Sequence, residues 1–276
     1  MHVTLIDVVT LFAALDHPDW VVVDCRFSLA DTEAGRRAYE AAHIPGAIYA
    51  HLDDDLSNPP TTDNGRHPLP PVAIMNERLG QMGIDNSKQV VVYDDANGAT
   101  AARLWWMLRY LGHEAVAVLD GGWKAWLTAD LPRQAGVETK APALFHGEPR
   151  TEWLVTMSQV PAQPLLIDSR EAPRYRGEFE PIDPQAGHIP GAVNYFFQRN
   201  WGEDGRYLPP AQLREQLTAL FGSTSPDEVT FYCGSGVTAC VNLLAMAHAG
   251  LGNGRLYVGS WGEWCRQAEN PVGRHL

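Results

Sequence analysis

Two tandem α/β domains, each a mostly parallel sheet with helices on both faces, are predicted by three observations. The first is an internal repeat with four landmarks in one order. "WVVVDCR" at 20–26 matches "PLLIDSR" at 164–170, and "AHIPGAIYAHL" from Ala42 matches "GHIPGAVNYFF" from Gly187. "VVVYDDANGATAARLWWML" at 90–108 then matches "VTFYCGSGVTACVNLLAM" at 229–246, and "VLDGGWKAW" at 118–126 matches "YVGSWGEW" at 257–264. The period is far longer than that of a solenoid, so it describes two copies of a domain. The second observation is alternation. Short β-branched runs (Val21–Val23, Val90–Val92, Leu165–Ile167, Val229–Phe231) read as buried strands. Helical patterns such as Pro210–Phe221 and Val237–Ala249 lie between them. Strands alternating with helices imply a parallel sheet covered on both sides. The third is length: 276 residues allow about two domains.

Each element follows in order. The N-terminal "MHVTLIDVVTLFAAL" reads as an amphipathic helix with Thr4 as its N-cap. It has Asp7 in its apolar run and no basic leader region, so it is not expected to be a signal peptide. Pro45–Gly46 and Pro190–Gly191 fit turns into the next strand. The N-terminal domain is expected over 1–135, a linker without periodicity over 136–150, and the C-terminal domain over 151–276. A net charge of −12 argues against a nucleic-acid or anionic-membrane partner. No apolar run reaches membrane-helix length, and a cytoplasmic location is the expectation. The ten histidines show no metal spacing, so neither metal nor cofactor is expected.

One landmark differs between the copies. Where the second has Cys233, the first has Asp94 or Asp95, in a loop one residue longer. Cys233 follows a strand and precedes a helix, at the carboxyl edge where open α/β sheets bind ligands. The N–H groups and dipole of a helix N-terminus favour a thiolate there. Gly234 and Gly236 let the backbone curl around the sulfur, with Val237 completing the loop, and Ser235 and Thr238 add hydroxyl donors. Cys25, Cys240 and Cys265 lack such a loop and read as structural. A cysteine phosphatase would close this loop with an arginine, but Ala239 stands there and no basic residue occurs between Cys233 and Ala249. "DDANGATAAR" at 94–103 lacks the ending of a phosphate-binding loop, and Arg103 is a weaker candidate for the active site.

The tandem copies, the repeated "HIPGA", the "DSR" after a strand and the "CGSGVTA" loop resemble the rhodanese superfamily, from about Trp20 to Trp264. Within it, the loop is most similar to that of the 3-mercaptopyruvate sulfurtransferases; thiosulfate-using relatives usually carry basic residues there. The resemblance implies an enzyme in which Cys233 takes sulfur from 3-mercaptopyruvate, releases pyruvate, and passes the sulfur to cyanide, a small thiol or thioredoxin. The alternatives are a thiosulfate:cyanide sulfurtransferase and a persulfide carrier without turnover. The resemblance assigns the donor carboxylate to Arg174, leaves Arg170 as a brace at Asp168, and leaves Arg176 open. The second carboxylate-binding arginine usual in these enzymes is missing, and Glu178, Glu180 and Asp183 occupy the segment. A serine–histidine–carboxylate relay is implied, with Ser235 as its serine, His43 as its histidine, and Asp31 or Glu33 as its carboxylate.

Overall fold

The structure is a computed structural model that describes residues 1–61, 63–95 and 98–274. The chain forms two compact units. The first comprises 1–58, 70–150 and 204–206; the second comprises 59–69, 151–203 and 207–276.

In the first unit the order is β1 (Leu5–Ile6), α1 (Val8–Ala13), β2 (Trp20–Asp24), α2 (Ala34–Ala41), β3 (Ile48–Tyr49), α3 (Val72–Gln81), β4 (Gln89–Tyr93), α4 (Ala99–Tyr110), β5 (Val116–Leu119) and α5 (Gly122–Thr128). Its strands form one sheet in the order β1-β5-β4-β2-β3. Every pairing is parallel. The sequence reading missed the opening strand. Asp7, not Thr4, caps α1, because its carboxylate accepts hydrogen bonds from the N–H groups of Val9 and Thr10, both at 2.9 Å. That leaves Leu5–Ile6 free to join the sheet beside β5.

The second unit repeats the plan with β6 (Leu154–Val155), β7 (Leu165–Asp168), α6 (Ala172–Arg176), β8 (Val193–Asn194), α7 (Pro210–Phe221), β9 (Val229–Tyr232), α8 (Ala239–His248), β10 (Arg255–Tyr257) and α9 (Ser260–Trp264). Its sheet order is β6-β10-β9-β7-β8, again parallel throughout. Both faces of the sheet must therefore be covered, and the central strands β4 and β9 are buried at every position. Helices α4 and α8 are buried almost all round, which is why their sequences carry little amphipathic signal. Gly46 and Gly191 make the turns after the "HIP" motifs at φ 75° and 84°, values that favour glycine. Among the described residues no helix is long and apolar enough to cross a membrane.

Candidate active site at the β9–α8 loop

The site begins at the carboxyl end of β9, a central strand flanked by β10 and β7. The chain leaves the sheet at Cys233, passes through Gly234–Ser235–Gly236–Val237–Thr238, and enters α8 at Ala239. The loop is held from the β10–α9 turn. Ser260 Oγ accepts from the Cys233 N–H at 3.1 Å and donates to the Tyr257 carbonyl at 2.9 Å. The carbonyls of Cys233 and Gly234 accept from the N–H groups of Trp261 and Gly262, at 3.0 and 2.9 Å. Ser260 sits at φ 56°, a strained value for a residue with a side chain, and its hydroxyl explains why the strain is kept.

Space requires a glycine at 236 and leaves little room at 234. Gly236 has φ 72°, and a Cβ there would meet the Val258 carbonyl oxygen at 2.5 Å. A Cβ on Gly234 would meet Nη2 of Arg66 at 2.6 Å. The curl they permit turns donors onto the sulfur. Burial pushes the Cys233 thiol up, but the Thr238 hydroxyl and the N–H groups of Ser235, Ala239 and Val237 outweigh it and hold the thiol below its ordinary value. Elsewhere burial prevails: it drives Cys25 well up and Cys265 up to about 11. Cys240 lies inside α8 with its thiol on the Gly236 carbonyl at 3.4 Å. All four cysteines are buried and free of disulfides.

Ser235 is buried, and its Oγ lies 2.8 Å from Nδ1 of a histidine. That histidine is His67, in the 59–69 strap of the second unit, rather than His43. His43 lies in the first unit with Nδ1 2.8 Å from the Tyr39 carbonyl, its ring stacked on Tyr39 at 4.2 Å and its backbone paired with Gln134. His188 does the same in the second unit, at 2.7 Å from the Tyr175 carbonyl and stacked on Tyr175 at 4.0 Å. The histidine of "HIPGA" is therefore a turn residue in both copies. Asp31 and Glu33 are exposed partners of Arg37 and Arg36.

The sequence reading missed His67 because its segment has no periodicity and its neighbours in sequence fold into the first unit. One signal was available: "DNGRHPLPP" at 63–71 parallels "EDGRYLPP" at 203–210, with His67 opposite Tyr207. Those two equivalent stretches depart from one another where a polar ring is needed.

Of the candidate arginines, Arg174 lies beside the loop. Arg174, on α6, is clamped by Glu180 through Nε at 3.0 Å and Nη2 at 2.6 Å, and its Nη2 lies 3.7 Å from the point where a Gly234 Cβ would be. Glu180 is held below its ordinary value: burial alone would raise it, and Arg174 with two backbone N–H groups overcomes that. Arg170 braces the strand end, forking onto Asp168 and donating to the Gly187 carbonyl at 2.6 Å. Arg176 pairs with Glu178 at the surface. Arg103 belongs to α4 of the first unit, with Nη2 3.4 Å from the Leu56 carbonyl. Among the described residues no cluster of His, Cys, Asp and Glu has metal-binding geometry.

What a lowered thiol does at the end of a central strand, in a cradle of N–H donors found in the second of two repeated parallel domains, is decided by comparison with known proteins. The rhodanese-like domain matches residues 8–129 and 151–267. The chain belongs to the rhodanese-like family. A Pseudomonas aeruginosa relative named "Probable 3-mercaptopyruvate sulfurtransferase" is 47% identical over 269 residues, 95% of each chain. The thiosulfate sulfurtransferase of Rattus norvegicus is 34% identical over 264 residues, covering 91% of this chain and 86% of its own. Among solved structures, the 3-mercaptopyruvate sulfurtransferase of Leishmania major superposes with a TM-score of 0.86 at 31% identity, over 98% of this chain and 76% of the other. The rhodanese-like protein is thus a sulfurtransferase by descent, with a cysteine at the carboxyl end of one of its two central strands.

Proposed function

We propose that this protein moves sulfur from 3-mercaptopyruvate to a thiol acceptor through a persulfide on Cys233. The observation that carries this reading is the convergence of the Thr238 hydroxyl and three backbone N–H groups on one buried sulfur. Such a cradle stabilises an anion, first the thiolate and then the terminal sulfur of a persulfide. The thiolate attacks the donor sulfur; an S–S bond forms and the donor C–S bond breaks. The electron pair of that bond stays on the methylene carbon as the pyruvate enolate. The proton from the donor thiol ends on that carbon, so the step balances without an outside acid. Ser235 and His67 form the path for this proton. Arg174 binds the donor carboxylate, with Glu180 fixing its orientation. In the second half-reaction an acceptor thiolate attacks the outer sulfur and Cys233 leaves as the thiolate, a ping-pong scheme. Cyanide, a small thiol or reduced thioredoxin fits as acceptor. The four free cysteines suit a reducing compartment, and we place the protein in the cytoplasm.

A thiosulfate donor is the second reading. It draws on the rat relative's name and on the two guanidiniums beside Gly234, which can hold a dianion. Steady-state sulfur transfer to cyanide with each donor separates the two readings. A higher kcat/KM with 3-mercaptopyruvate supports the proposal. A higher value with thiosulfate replaces it with the second reading, and no turnover with either, despite sulfur loading, makes the protein a carrier.

A further inference from the structure

We propose that Arg66, delivered by the 59–69 strap, is the second cation of the donor-carboxylate site, with Asp183 as its positioning residue. The proposal rests on the mercaptopyruvate reading above and assigns a further part of the same site. Segment 178–183 carries acids, so α6 and its following loop provide Arg174 but no second guanidinium near the thiol. The strap provides one. Arg66 enters beside His67, the residue that meets Ser235, so one short stretch delivers both a ring and a cation to the loop.

Three observations define its place. Nη1 of Arg66 is ion-paired with Oδ1 of Asp183, whose side chain is fully buried. Nη2 of Arg66 lies 2.6 Å from where a Gly234 Cβ would be, one residue from the nucleophile, and Nη2 of Arg174 lies 3.7 Å from the same point. Nη2 of Arg66 makes no hydrogen bond among the described residues, so Asp183 holds the guanidinium by one edge and leaves the other over the loop. Among the described residues Arg66, Arg170, Arg174 and Arg266 share the carboxylates of Asp168, Glu180 and Asp183, one more cation than carboxylate beside the thiol. Asp183 itself is shared: Arg174 and Arg266 approach it at 3.7 and 3.5 Å. It therefore fixes the spacing of the two cations that flank Gly234. Two guanidiniums with separate carboxylate anchors make a rigid fork for a planar carboxylate on a short donor. Gly234 is then glycine because the fork lies against it.

The test uses the full chain as wild type, Arg66→Ala, Arg66→Lys, Asp183→Asn and Arg174→Ala. Two readouts are taken: KM and kcat for 3-mercaptopyruvate, and protection of Cys233 from iodoacetamide by pyruvate, which reports carboxylate binding without turnover. Arg66→Ala is expected to raise KM and weaken pyruvate protection together, roughly ten- to a hundredfold, the span of one charge-assisted hydrogen bond. The kcat should change far less. Arg66→Lys keeps charge and fold and should fall between, and Asp183→Asn should move both readouts in the same direction by less. Unchanged KM and protection in Arg66→Ala, with Arg174→Ala impaired, would make Arg66 a structural strap and overturn the proposal. So would a fall in kcat at constant KM. If the wild type fails to turn over 3-mercaptopyruvate, the functional reading fails instead, and the pyruvate protection of Arg66→Ala and Arg66→Lys against wild type still decides whether Arg66 binds a carboxylate.

Discussion

The loops after β4 and β9 are the same device loaded with different side chains. In the first unit Asp94 occupies the strand end. Its carboxylate accepts from the N–H groups of Gly98 and Ala101 at 2.8 and 3.0 Å and from the Thr100 hydroxyl at 3.2 Å. In the second unit Cys233 takes the same place, facing the Thr238 hydroxyl and the N–H groups of Ser235, Val237 and Ala239. Thr100 and Thr238 correspond in the repeat, as do Ala101 and Ala239. Even the anchor recurs: the carbonyl of Asp94 accepts from Trp123 N–H at 2.8 Å, as that of Cys233 accepts from Trp261. The fold supplies an anion cradle at each central strand end, and the residue inside decides whether that anion can react. Around Asp94 the donors do not offset burial and the carboxyl is pushed up, whereas around Cys233 they do and the thiol is held down as a nucleophile.

The comparison is broken most completely by exchanging the residue. Cys233→Asp should give a folded protein whose second cradle imitates the first, with no sulfur transfer detectable by thiocyanate formation. Cys233→Ser should be equally inactive, and surviving activity in either would remove Cys233 from the mechanism. Next in size is the backbone. Gly236→Ala places a Cβ against the Val258 carbonyl in a left-handed conformation. It should cost about 1–3 kcal/mol in urea unfolding and most of the activity.

The polar partners sharpen the comparison, because the first unit's sequence has Asn97, not serine, opposite Ser235. His67→Ala and Ser235→Ala should each lower kcat by roughly a hundredfold, within the range of a lost proton-transfer group. The double variant should fall little further, since the two act as one path. Thr238→Val removes a donor that lowers the thiol pKa. The pH midpoint of Cys233 alkylation should lie below the ordinary thiol value of about 8.5 in the wild type and rise in the variant. The sign for stability follows. Because the folded state favours the thiolate, ionisation of Cys233 adds stability above the unfolded thiol pKa, and this is lost as pH falls through the lowered value. The smallest effect on catalysis is expected from His43→Ala. It should lower the thermal midpoint through loss of the contact with Tyr39, while kcat on folded protein stays at the wild-type value.

Much of this was legible in the sequence because it is local. A β-branched run, a cysteine, two glycines and an apolar helix follow one another between Val229 and His248, and their order alone implies a cradle. The repeat, the alternation of strands and helices, and the roles of Arg170 and the other three cysteines were equally readable. What was not legible depends on chain segments that fold away from their sequence neighbours. Residues 59–69 belong to the second unit although they precede α3 of the first, so Arg66 and His67 carry no periodic signal tying them to Ser235 or Gly234. Repetition also misled in one place. "HIPGA" draws attention to His43, but its recurrence as His188 reflects a shared turn, held by Tyr39 in one copy and Tyr175 in the other. The strand Leu5–Ile6 was hidden for a third reason: at two residues it is too short to show alternation, and only the cap at Asp7 separates it from α1.

The most direct test of the account is intact-mass analysis of the protein after brief exposure to 3-mercaptopyruvate without an acceptor, with released pyruvate measured in the same sample. One added sulfur on Cys233 and one pyruvate per chain are expected, both absent in Cys233→Ser. Pyruvate without a mass gain, or a sulfur adduct that persists in Cys233→Ser, would contradict it.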